Sequence, residues 1–385
     1  MNIQLRTPLE SIADEFDSLS CKLILRESAQ RLVVFFSGTD KSSGRFDFWK
    51  TGNDLDEHVL LVNNGVNAWY QEGIPGLGNL QESASNIKRL GEKLGCKEII
   101  TCGVSMGGYG AVLFAALLGC RCLAFGFDTI LRYPLSRSYK RMPKRIKIVY
   151  KDLRSVVAGS LADVTAITGD MDFSDLLSLS RISDLENVKA MTLRGVAHGV
   201  ARYIDKKYSI TKVIKQYIES NSLPDFAEKG SACHEKKLSK LVFQAHQACT
   251  QENYDAALEL SKRALKINPL SEPANFISGV INLQLRNYNQ AAQRFAFTLG
   301  MLPHFLTAQF NLAKSLRLSN KLAEAEQHYL SYLAAMPDSA GARYSLALIY
   351  EGRSNSAALK LLNEAILIRP DNESYLKLRG KLLSN

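Results

Sequence analysis

Four prolines, Pro269, Pro303, Pro337 and Pro370, recur at intervals of 34, 34 and 33 residues. A spacing this regular constrains the chain more than any single motif, because each unit must fold alike and stack on the next. Small residues keep step with the prolines. Ala245, Gly279, Ala313 and Ala347 occupy the eighth position of successive units, and Ala257, Ala291, Ala325 and Ala358 the twentieth. Counted back from each proline, a unit holds two helices of about 13 residues. Small residues at those positions let the paired helices approach closely. The proline cannot continue the second helix and so ends it.

This pattern resembles the tetratricopeptide repeat (TPR) family, over roughly 236–370 as four units, with "DNESYLKLRGKLLSN" as a capping helix. Phe295 and Tyr329 supply an aromatic at the twenty-fourth position, where Ser261 and Leu362 do not. The resemblance implies an all-α solenoid whose concave face takes a protein partner. The alternative is that the repeats only dock onto the first domain.

The preceding half has a different rhythm. Short apolar runs at 21–27, 31–39, 58–64, 97–105, 120–128, 162–170 and 188–195 are rich in Val, Ile, Leu and Phe. They mostly lack strict alternation, as strands buried on both faces do. Helix-like stretches at 79–95 and 107–119 lie between them. Alternating strand and helix predicts a mostly parallel sheet with flanking helices. "SNSLPDFAEKGSACHEKK", 220–237, breaks this pattern with Pro224 and Gly230. The expected division is therefore a first domain at 1–225, a linker at 226–235 and the repeats at 236–385.

Within the first half, Gly103-Val104-Ser105-Met106-Gly107 is G-x-S-x-G. An apolar strand, "EIITCGV", leads in, and a helix rich in Ala and Leu leads out. A turn that sharp strains the serine backbone and needs flanking glycines. It exposes the Ser105 hydroxyl at the carboxyl end of the sheet, beside the free N–H groups of a helix N-terminus.

Here the sequence resembles the α/β-hydrolase family, over about 20–220, with the elbow as the most specific part. The resemblance implies a nucleophile, an acid and a histidine in that order. His198, in "LRGVAHGVARY", follows the last predicted strand, where the family places its general base; His58 precedes the elbow, in the wrong order. The segment "GDMDFSD" after the sixth predicted strand offers Asp170, Asp172 and Asp175. In the family the acid often follows three residues after the glycine that ends this strand, which points to Asp172. Asp170 and Asp128 are the alternatives. For the oxyanion hole the resemblance implies the Met106 and Thr39 N–H groups. Many members carry His-Gly in the second of these loops, whereas this chain has Ser37-Gly38-Thr39. Gly38, Trp69 and Tyr70 are candidates to shape the substrate pocket.

The activity implied is serine hydrolysis of an ester or thioester in a small molecule or glycan, with no metal or cofactor. Two alternatives stay open: an inactive scaffold of the same fold, and acyl transfer to a sugar or lipid acceptor.

Charge adds one local feature. Of the net +10, nine basic residues and one acidic fall in "RYPLSRSYKRMPKRIKIVYKDLR", 132–154. This segment lies after the elbow, where the family commonly inserts a lid. It reads either as a patch favouring an anionic substrate or as a solvated face. No nucleic-acid motif accompanies it. No apolar run is long enough to span a bilayer, and "MNIQLRTPLESIADEFD" lacks the features of a signal peptide. The seven cysteines form no C-x-x-C pair and read as free thiols in a reducing cytoplasm.

Overall fold

The computed structural model describes residues 12, 13 and 15–384. Most of the N-terminal stretch read for a signal peptide lies outside these residues. The chain divides into two compact units, Met1–Phe243 and Gln244–Asn385.

The first unit is built on an eight-stranded mixed sheet: β1 (Cys21–Ile24), β2 (Arg31–Phe36), β3 (His58–Val62), β4 (Glu98–Val104), β5 (Arg121–Phe125), β6 (Asp163–Gly169), β7 (Val188–Leu193) and β8 (Lys229–Gly230). Their order is β1-β3-β2-β4-β5-β6-β7-β8. The five pairings from β3–β2 through β6–β7 are parallel, and the edge pairings β1–β3 and β7–β8 are antiparallel. All seven predicted strands form. β8 falls inside 226–235, so half of the expected linker belongs to this unit as an edge strand and the 3-10 turn Ala232–His234.

The helices are α1 (Trp49–Asp54), α2 (Leu80–Lys93), α3 (Met106–Leu118), α4 (Arg137–Arg141), α5 (Leu153–Ala158), α6 (Phe173–Ser180), α7 (Val200–Tyr208) and α8 (Ile210–Ser220). The absence of alternation in the strands has a direct cause. Val34, Phe36, Leu60 and Val62 face one core, with Val112 and Phe114 of α3. Val33, Phe35, Val59 and Leu61 face a second, with Val213, Ile214 and Tyr217 of α8. Both faces are dry, so both must be apolar.

Nine further helices follow: α9 (Lys236–Thr250), α10 (Tyr254–Ile267), α11 (Glu272–Gln284), α12 (Tyr288–Met301), α13 (Leu306–Leu318), α14 (Leu322–Ala335), α15 (Ala340–Tyr350), α16 (Asn355–Ile368) and α17 (Glu373–Ser384). The unit boundary falls within α9. From α9 to α16 they form four TPR-like helix pairs, and α17 is the predicted cap. The twentieth-position alanines Ala257, Ala291, Ala325 and Ala358 are fully buried. Gly279 is required by close approach, since a Cβ there would sit 2.7 Å from the ring of Phe295. One periodic feature escaped the sequence reading. The turn between the two helices of each pair passes through the left-handed region at Glu252, Arg286, Asn320 and Gly352.

Candidate functional site

Ser105 stands between β4 and α3 with φ 58° and ψ −120°. That conformation is strained for a residue with a side chain. The packing leaves no other path. A Cβ on Gly103 would collide with the Gly107 carbonyl, and one on Gly107 with the Phe36 carbonyl. The Ser105 N–H is held by Phe125 O at 3.0 Å.

His198, in the loop after β7, brings Nε2 to 3.2 Å from Ser105 Oγ. Its Nδ1 lies 2.7 Å from Oδ2 of Asp175, in the first turn of α6. The three side chains form a continuous relay, with Asp175 fully buried and His198 partly open.

The acid is therefore not Asp172. That carboxylate caps α6, accepting from the N–H groups of Ser174 (3.1 Å) and Asp175 (3.0 Å). A helix begins at this point and turns the residue three positions on toward His198. Asp170 is buried and accepts from Gly195 N–H at 2.8 Å. Asp128 is buried and accepts from Ser138 N–H at 2.7 Å. Neither has a recorded bond to His198. The pattern D-F-S-D is an N-cap followed by an acidic residue in the first turn, and that signal could have found Asp175.

Burial and the adjacent Asp172 push the Asp175 carboxyl above its ordinary range, against the pull of Arg137 and His198. Asp172 is also buried, yet the Arg137 charge and its own hydrogen bonds bring it below that range. Asp172, Asp175 and His198 offer ligand atoms within 4.8 Å of one another. The Arg137 guanidinium already binds both carboxylates, so a side chain supplies the positive charge at this cluster.

The loop after β2 approaches Ser105 from the other side. A Cβ on Gly38 would lie 3.8 Å from that of Ser105. The Gly38 N–H donates to Asp47 Oδ2 at 2.8 Å, a clamp the sequence reading missed. Among the described residues, neither Thr39 N–H nor Met106 N–H has an acceptor. Both expected oxyanion donors are thus free.

Trp69 and Tyr70 do not line a pocket. They are 1% and 0% exposed and belong to the core. Tyr70 packs edge-on against Phe36 and Phe114, and its hydroxyl donates to Ser37 O at 2.8 Å. It braces the loop that carries Thr39.

Much of the basic charge of 132–154 is engaged. Arg132 donates to the carbonyls of Pro143, Lys144 and Ile146. Arg141 pairs with Asp40, and Arg154 with Asp184. Lys140, Lys144, Arg145, Lys147 and Lys151 are exposed.

No protein-family model matches the chain, and no curated protein matches it. Solved structures do. A MamA fragment from Desulfovibrio magneticus RS-1 is 19% identical with a TM-score of 0.36, over 38% of this chain and 83% of its own. YrrB, a TPR protein with an unusual peptide-binding site, is 17% identical with a TM-score of 0.36, over 48% of this chain and 93% of its own. Another MamA structure is 16% identical over 39% of this chain and 88% of its own, with a TM-score of 0.35.

Proposed function

We propose that the N-terminal unit is an α/β-hydrolase-type serine enzyme that cleaves ester or thioester bonds in a small molecule or glycan, in the cytoplasm. The observation that carries this reading is the Ser105–His198–Asp175 relay on a strained strand-to-helix turn. Strain of about 1–3 kcal/mol at a non-glycine residue is retained where the surroundings over-determine it. Two idle N–H groups beside the hydroxyl add to the support.

Ser105 Oγ attacks the acyl carbon while His198 Nε2 takes its proton. Asp175 holds the Nδ1–H tautomer and balances the imidazolium. Met106 and Thr39 N–H receive the negative charge that develops on the acyl oxygen. The tetrahedral species collapses to an acyl-enzyme, and His198 passes its proton to the leaving alcohol or thiol. Water then attacks the acyl carbon, giving its proton to His198, and the acid leaves as Ser105 is reprotonated. A sugar or lipid hydroxyl in place of water would make the second half an acyl transfer. The repeats serve to hold a protein partner, the usual use of a stacked helical array.

The test is labelling by a fluorophosphonate probe. The intact protein should label, and Ser105→Ala and His198→Ala should not. Well-folded protein that never labels would leave the repeats as the seat of function.

A further inference from the structure

Arg137 reaches the relay from outside the elements that build it. It opens α4, in the insertion between β5 and β6. Nη1 donates to Asp175 Oδ1 at 2.8 Å and Nη2 to Asp172 Oδ2 at 2.6 Å. Asp175 thus divides its oxygens, Oδ1 to Arg137 and Oδ2 to His198. The insertion is firmly seated around this contact. Asp128 takes the Ser138 N–H at 2.7 Å, and Gln71 Oε1 takes those of Val149 and Tyr150, both at 2.8 Å. At the other end of α4, Arg141 pairs with Asp40, the residue after Thr39. One short helix therefore touches both the acid and the oxyanion loop.

The charges around Asp175 explain what the guanidinium does. Asp172 and, farther off, Asp128 are carboxylates; Arg137 is the cation beside them, and His198 acquires charge only when protonated. Two carboxylates sharing a dry site cannot both stay ionised without a counter-charge. A protonated Asp175 could not accept the Nδ1–H, and the imidazole would lose the tautomer that presents a free Nε2 to Ser105.

We propose that Arg137 is a positioning residue for the relay. Its guanidinium keeps the Asp175 carboxylate ionised and turned to His198, and this makes catalysis conditional on the seating of the 132–154 insertion. The proposal rests on the hydrolase reading for its consequence, and on the geometry alone for its contact.

The experiment compares Arg137→Gln, Arg137→Lys and the double variant Arg137→Gln/Asp172→Asn in the full chain. The readouts are the pH dependence of fluorophosphonate labelling and the downfield His198 Nδ1 proton in NMR. Arg137→Gln should shift the acid limb of labelling upward by about 1–3 pH units, the shift one adjacent opposite charge supplies. Labelling at pH 6 should fall roughly tenfold or more. The downfield proton should vanish at pH 6 and return at higher pH. Removing the Asp172 charge should recover most of both, and Arg137→Lys should keep part. Wild-type labelling and an unchanged downfield proton in Arg137→Gln would overturn the proposal. So would a loss that Asp172→Asn does not restore, because a mere staple for the insertion needs no charge balance. If the intact protein never labels, the hydrolase reading fails, and the NMR proton still decides what Arg137 does to His198.

Discussion

Asp175 Oδ2 lies 2.7 Å from His198 Nδ1, while the carboxylate of Asp172, three residues earlier, is taken up by two backbone N–H groups and Arg137. The two acids have separate tasks, and mutation should separate them. Asp175→Asn leaves the imidazole in the wrong tautomer and should lower kcat by roughly 10³–10⁴-fold with little change in KM. Asp172→Asn keeps an N-cap side chain and should lower kcat by less than roughly tenfold. Steady-state kinetics on an activated ester decides. A larger loss at Asp172 would return the acid to the position expected from the sequence.

What was legible in the sequence was local. Strands buried on both faces announce themselves as apolar runs, and the elbow needs glycines on each side of Ser105, so both were found. His198 could be placed because His58 was its one competitor in the first half. The acid was missed because counting residues from Gly169 ignores where α6 begins, and the start of a helix decides which carboxylate turns inward. Trp69 and Tyr70 misled because nothing local distinguishes an aromatic that lines a cleft from one that fills a core. β8 was illegible: two residues, Lys229 and Gly230, paired at an edge by tertiary structure alone.

Gly126 shows how closely the relay is packed from beneath. Its φ is +46°, and a Cβ there would stand 3.0 Å from Asp175 Oδ2 and 3.3 Å from His198 Nδ1. Gly126→Ala should therefore strain the backbone by about 1–2 kcal/mol and displace the pair. Gly159→Ala is the control, since its Cβ would come no nearer than 3.8 Å to the Ser155 carbonyl. Labelling should slow at least severalfold in the first and stay unchanged in the second. Equal rates would mean the relay tolerates the added methyl.

Tyr70 acts at a distance from the chemistry. Removing its hydroxyl leaves the Ser37 carbonyl without the 2.8 Å bond that braces the Thr39 loop. Tyr70→Phe keeps the ring packing, so the stability cost should be about 1–3 kcal/mol, the range for an unsatisfied buried group. If Thr39 N–H is an oxyanion donor, kcat should fall several-fold more than KM rises. A drop in thermal stability with unaltered kcat would separate the brace from catalysis.

The thiols give a pH-dependent test. Burial pushes Cys21, Cys120 and Cys233 up to about 12 and Cys96 up to about 11. At pH 8 these groups are thiols, and the thiolate is the reactive form. An aromatic disulfide reagent at that pH should react slowly with native protein and with seven equivalents after unfolding. Raising the pH toward 10 should accelerate the native reaction if the fold holds. A fast native thiol at pH 8 would mark a cysteine far more open than its packing indicates.

In the repeats, the left-handed turn residues form a series with one glycine in it. Gly352 has φ +79°, and a Cβ there would meet nothing within 4 Å. Gly352→Ala therefore isolates backbone strain from any clash. It should cost about 1 kcal/mol in urea unfolding, since an L side chain in this region is penalised by roughly that much. The reverse exchange at exposed Arg286, φ 60°, relieves the same strain but frees the unfolded chain. Those two effects are similar in size, so Arg286→Gly should change stability by less than about 1 kcal/mol. A large loss in Arg286→Gly would show that the arginine side chain itself supports the turn. A neutral Gly352→Ala would show that the fourth repeat can close through another conformation.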